Sequence, residues 1–235
     1  MRNFIVWFSI SILFGCASTQ PSFTVSVDSL ASPTADSHKT YILIPGNEGI
    51  LETDLQFKEY ESYLVRVLNS QGYTPANSGD EADLAIILSY GIGEPQSHKY
   101  SYSLPTWGQT GVSSSNTYGT ATTYGNTTSV NTSTTYTPTY GVTGSTNHTG
   151  TSITYHRYAL ITGYDYAKFK QTKAEIQLWK TTISSVGSSG DLRRVFPVLI
   201  AASAPYLGTN TGQIIPVSIK ESDSAVITVK GLTKQ

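Results

Sequence analysis

Leu84-Ala85-Ile86-Ile87-Leu88-Ser89 is a short apolar run, introduced by the acidic turn Asp80-Glu81-Ala82-Asp83. A run of this length without polar alternation is expected as a fully buried strand. Toward the N-terminus, Phe57, Tyr60, Leu64, Val67 and Leu68 recur at helical spacing. They predict a helix with one apolar face, begun by a capping-box pattern at Thr53 and Gln56 and stopped at Gly72. Before it, Thr40 to Ile44 reads as a strand closed by Pro45-Gly46. Ser18 to Lys39 is polar and rich in Ser, Thr and Pro, which suits a tether. Within it, Phe23-Thr24-Val25-Ser26-Val27 alternates as an edge strand would.

On the C-terminal side the character of the chain changes. Tyr100 to His156 contains no Asp, Glu, Lys or Arg and is built from Thr, Ser, Gly, Asn and Tyr. Tyr-Gly recurs at Tyr118, Tyr124 and Tyr140, but irregularly, so no true repeat is present. Aliphatic residues are too few for a core. The stretch is either disordered or a long two-stranded ribbon of the kind Thr and Tyr favour. Beyond it, Ser152 to Tyr166 and Lys173 to Ile183 read as a hairpin, with Lys168 to Thr172 as the turn region. Gly187-Ser188-Ser189-Gly190 breaks the chain. Asp191 then caps a second helix with Leu192, Val195, Phe196, Leu199 and Ile200 on its buried stripe, Pro197 within it and Pro205 at its end. Gln213 to Ile219 and Ala225 to Val229 look like a closing hairpin that turns at Ser222-Asp223. The expected class is α+β: a mixed or antiparallel sheet with two helices on one face, plus the uncharged insertion at about 100–152.

The N-terminus gives an address. Met1-Arg2-Asn3 precedes an apolar run from Phe4 to Phe14, and Leu13-Phe14-Gly15-Cys16 ends it with the only cysteine. About eleven apolar residues fall short of the roughly twenty that span a bilayer, and the order matches a secretory signal with a lipobox. The expected division is a signal peptide over 1–15, a lipidated Cys16 with tether over 16–38, and one domain over 39–235. Cleavage after Ala17, in an ordinary small-x-small pattern, is the rival reading. Acyl chains contribute about 0.8 kcal/mol per buried methylene, so two or three hold a protein on a membrane. Ala17, rather than Asp, follows the cysteine, as in lipoproteins passed to the outer membrane.

Chemistry is harder to find. Net charge is −1 and charged residues make up 13% of the chain, so no basic face invites nucleic acid. Gly91-Ile92-Gly93 lacks the third glycine of a nucleotide loop. His38, His98, His148 and His156 show no ligand spacing, although His98 and His156 flank the insertion. No Gly-x-Ser-x-Gly elbow occurs. No catalytic residue, metal or cofactor is therefore assigned, and the expectation is a protein that is not an enzyme. The remaining candidates for contact are Tyr100, Tyr102, Trp107, Tyr118, Tyr124, Tyr136 and Tyr140, which with Ser, Gly and Asn resemble the composition of binding loops. They would pack on an envelope protein or stack on a glycan, peptidoglycan or exopolysaccharide. Their alternative role is cross-strand pairing within the insertion.

Lys39-Thr40-Tyr41, Gln71-Gly72-Tyr73, Ala82-Asp83-Leu84, Ser89-Tyr90-Gly91, Leu178-Trp179-Lys180 and Pro205-Tyr206 together resemble a family of bacterial lipoproteins, the domain of unknown function numbered 4136. The resemblance covers most of residues 23 to 230. It implies an envelope lipoprotein of α+β type, without an assigned reaction and without catalytic residues to carry over. The chain departs from the commoner members in its long insertion and its terminal hairpin.

Overall fold

The computed structural model describes residues 22–232. The chain forms two compact units. Gln96–Thr154 makes one, and the flanking residues make the other, called here the ribbon and the body. In chain order the elements are β1 (Ser22–Ala31), β2 (Thr40–Pro45), α1 (Leu55–Ser70), β3 (Thr74–Pro75), β4 (Leu84–Ile92), β5 (Gln96–Tyr124), β6 (Thr127–Asp165), α2 (Tyr166–Thr172), β7 (Gln177–Gly187), α3 (Leu192–Ser203), β8 (Ile215–Lys220) and α4 (Ser224–Val229).

The body is α+β around an open mixed sheet in the order β3-β2-β4-β6-β7-β1-β8. β2 pairs parallel with β3 and β4, and every other pairing is antiparallel. α1 lies in the crossover that a parallel β2–β4 pair requires. Its five expected apolar positions, Phe57 through Leu68, are all buried. The cap sits one residue later than the capping-box reading: Asp54 accepts a hydrogen bond from the Phe57 amide at 2.9 Å, while Gln56 donates to the Tyr60 hydroxyl. Gly72 takes a positive φ of 82° at the exit, where a β-carbon would be strained.

Every second residue of the quoted run, Leu84, Ile86 and Leu88, is fully buried in the core. α3 brings Val195, Phe196, Leu199 and Ile200 to the same core. Tyr60 stacks on Phe196 at 3.9 Å between centroids, and Tyr90 meets Tyr60 edge-on at 4.7 Å. Each such burial contributes roughly 1.5–3 kcal/mol. Trp179 on β7 lies across Gly163 on β6, where any β-carbon would collide with the indole. Gly163 is thus the space that admits the largest buried side chain.

Four expectations change. Phe23–Val27 does not form an edge strand in a tether: β1 lies between β7 and β8, with Val25 and Val27 fully buried. The hairpin of β6 and β7 is present, but its connection contains a helix, α2, capped by Asp165 accepting from the Lys168 amide. Ala225–Val229 is helix α4, not the second arm of a hairpin, and β8 pairs with β1 instead. Its β-branched residues favour strand locally. Packing against α1 and α3 overrides that preference, burying Val226 and Val229 three residues apart. Among its described residues the body accordingly has four α-helices where two were expected. Cys16 and the expected signal peptide over 1–15 lie outside the described residues.

Candidate functional site

The insertion is a ribbon. β5 pairs antiparallel with β6 from Gln96↔Thr154 to Tyr124↔Thr127, with register shifts at Thr106/Trp107, Gln109/Gly111 and Val112/Ser114. Gly125-Asn126 turns it with Gly125 at φ 60°, as a two-residue hairpin turn requires. Strands average five or six residues; a strand of 29 reaches roughly 95 Å if extended. Thr117–Thr134 and Thr123–Thr128 hydroxyls bond across the strands at 2.9 and 3.0 Å. The insertion pairs as a ribbon instead of the disordered alternative, and these Thr–Thr pairs support it across the strands.

All seven aromatic candidates are exposed, from 45% at Tyr102 to 91% at Tyr124. Tyr100 and Tyr102 share a face with centroids 6.0 Å apart, and Tyr102 stacks on His148 at 5.6 Å. Tyr100 covers its partner Gly150, where a β-carbon would meet the ring at 2.6 Å. Trp107 opposite Val142 and Tyr140 opposite Gln109 are diagonal neighbours on one face. Farther out, Tyr118 and Tyr124 share one face by parity, whereas Tyr136, opposite Ser115, takes the other. The candidates therefore do not converge on a single site. They distribute aromatic contacts along both faces of an uncharged ribbon.

In the body, a pocket of about 200 Å³ lies among Ile44, Ile87, Tyr164, Tyr166, Phe169 and Glu175. The sequence puts Tyr164 and Tyr166 in a strand and Phe169 in the turn after it; helix α2, which carries Tyr166 and Phe169, brings both to Tyr164 at the end of β6. Lys170 on α2 donates from Nζ to the carbonyls of Gly79, Asp80 and Ala82. The acidic turn thus serves as a clasp for α2 through its carbonyls. Asp83 accepts from the Thr40 amide at 2.9 Å, which ties the turn to β2. These contacts are structural.

The histidines go to separate partners. His98 Nε2 lies 3.0 Å from Thr154 Oγ1, the His156 ring stacks on Tyr158, and His38 Nε2 is 3.7 Å from Asp165. Among the described residues, no group of three or more His, Cys, Asp or Glu side chains could hold a metal. Gly91 and Ile92 end β4, and Gly93 bonds its amide to the His156 carbonyl. Burial pushes the hydroxyls of Tyr41, Tyr60 and Tyr63 up to about 12. These phenols remain protonated; Tyr41 and Tyr60 belong to the core, and Tyr63 packs against it with its hydroxyl donating to Glu59.

No family model matches the sequence, and no curated protein matches it. Among solved structures, it is similar to a PDZ domain protein from Parabacteroides distasonis ATCC 8503, at 13% identity and a TM-score of 0.36. The match covers 86% of this chain and 39% of that one. Among the described residues, no helix is long and apolar enough to cross a membrane.

Proposed function

We propose that this chain is an envelope lipoprotein without catalytic activity, held by acyl chains on Cys16 to the outer membrane and facing the periplasm. Its ribbon is the binding element for another envelope protein. In this reading α1 and α3 cover one face of the body sheet, α3 against β1, β7 and β8, and the body is a stable base. The observation that carries the proposal is the ribbon's surface: exposed tyrosines and one tryptophan on paired strands that bear no charge from Tyr100 to His156. A surface of that size without a core of its own gains most from contact with a partner.

A glycan reading draws on the same aromatic rings. The placement of Tyr118 and Tyr136 on opposite faces favours a protein that wraps or lies along the ribbon over one sugar chain stacked on a single platform.

The test is in-cell crosslinking of the wild type and of a chain lacking residues 103–150. Loss of specific protein crosslinks in the shortened chain supports the proposal. Retention of every crosslink shows that the ribbon is not the binding element. Binding to purified sacculi, lost with the same deletion, would move the assignment to glycan. The mass of the N-terminal peptide and the Cys16→Ser variant test the anchor: a variant that stays with membranes at normal processed size refutes it.

A further inference from the structure

Among the described residues Arg157 is the one buried arginine, at 1% exposure. It enters the interior from β6, opposite Ser185 on β7. Its Nη1 donates to the Ser189 carbonyl at 3.2 Å and its Nη2 to Ser185 Oγ at 3.1 Å. Ser185 Oγ in turn donates to the Thr24 carbonyl at 2.7 Å. Nε has no acceptor. Among the described residues, no carboxylate comes within ion-pair reach of this guanidinium. A buried cation served only by neutral oxygens is an expensive arrangement, because nothing replaces the hydration or the counter-charge it has lost. Burial accordingly draws its pKa below the usual arginine value.

Arg157 also lines a pocket of about 210 Å³, with Ser22, Thr24, Ser188, Ser189 and Arg194 among its other walls. This is several water molecules in volume, enough for one oxyanion group and a few further atoms. The loop Gly187-Ser188-Ser189-Gly190 borders it, and the amides of Ser188, Ser189 and Gly190 donate to no main-chain acceptor among the described residues. Gly187 lets the loop backbone close on the guanidinium: a β-carbon there would come within 3.0 Å of Nη1 and Nη2. The other charges nearby are already committed. Arg194 makes a two-point contact with Glu221, at 2.8 and 2.6 Å. Asp191 caps α3 by accepting from the Arg194 amide. Arg157 alone lacks its complement.

We propose that this pocket binds a phosphate group, carried either by a small soluble molecule or by a lipid headgroup. Arg157 supplies the charge, and the Ser188 and Ser189 hydroxyls with the loop amides supply further hydrogen bonds. Arginine with oriented N–H and O–H donors is the chemistry that recognises phosphate oxygens. The headgroup source has a route: Ser22 stands six positions after Cys16, so an acylated Cys16 keeps this wall of the pocket near the bilayer. That source rests on the anchor proposed above; the soluble source does not.

The experiment follows the Arg157 Nε–Hε resonance of the processed chain by NMR, assigned by its disappearance in Arg157→Lys. Inorganic phosphate is titrated against chloride at constant ionic strength. A saturable shift in phosphate alone, with half-saturation in the roughly millimolar range and accompanied by the Ser188 and Ser189 amides, supports a soluble ligand. No shift with inorganic phosphate, but broadening of the same resonance on phosphatidylglycerol vesicles, supports the headgroup. No response to either overturns the proposal. Because the titration is read on the wild type, the Ser188 and Ser189 amides report binding even if Arg157→Lys fails to fold. Acylation is read separately from the N-terminal peptide mass, so failure of the pocket and failure of the anchor are told apart.

Discussion

β6 belongs to both units, and its two parts are stabilised in different ways. From Thr127 to Thr154 it is exposed almost throughout, and its only strand partner among the described residues is β5. From Tyr155 to Asp165 it lies between β4 and β7, and Arg157, Ala159 and Ile161 turn inward. The main-chain pairing is of one kind in both. What differs is the removal of apolar surface from water, and that term dominates folding. A hydrogen bond that exchanges for one with water contributes only about 0.5–1.5 kcal/mol, and a two-stranded hairpin alone is marginal. The ribbon's regularity therefore says little about its strength, whereas the body's core says a good deal.

That contrast can be broken most directly by native-state hydrogen exchange. Amides of Asn116–Tyr124 and Thr127–Thr135 should exchange roughly three orders of magnitude faster than those of Leu84–Leu88, which open only with the whole body. Equal protection in the two regions would refute the comparison. Next in size is Trp179→Ala, which empties the space over Gly163 and should cost about 3–5 kcal/mol in a denaturant melt of the body. Tyr118→Ser in the ribbon should change the same melt by less than about 0.5 kcal/mol.

Alkaline titration sharpens the picture. Tyr41 and Tyr60 are buried in the core, and burial raises their folded-state pKa values from 10.0 to about 12. Because the unfolded phenols ionise first, their contribution is fully present below pH 10 and is lost as pH rises to about 12. The loss should be on the order of 2 kcal/mol for each, followed by the far-ultraviolet signal at successive pH values. A flat profile through that window would contradict their burial. The smallest expected effect within the body is Asp54→Ala, which removes the cap on the Phe57 amide and should lower stability by about 1 kcal/mol.

These residues also show how far the chain could be read unaided. Phe57, Tyr60, Leu64, Val67 and Leu68 announce a helix because their spacing is local and their partners need not be known. Leu84–Ser89 announces a buried strand for the same reason. Asp191 announces α3, whose capping bond to the Arg194 amide spans only three residues. The seven aromatic positions were identifiable by composition, but composition carries no parity. Only the register, with its three shifts, assigns Tyr118 and Tyr136 to opposite faces.

The sequence by itself determined the α+β class, the two long helices, the buried central strand and the uncharged character of the insertion, because each follows from composition or from contacts a few residues apart. Tertiary structure decided that β1 is an interior strand, that Ala225–Val229 is helical, and that Arg157 is buried beside a serine-rich loop. Those outcomes depend on partners distant in the chain, such as Ser185, 28 positions from Arg157, and Thr24, 161 positions from Ser185. Pairing across such distances is settled by which surfaces can be buried together, and local preference gives way to it.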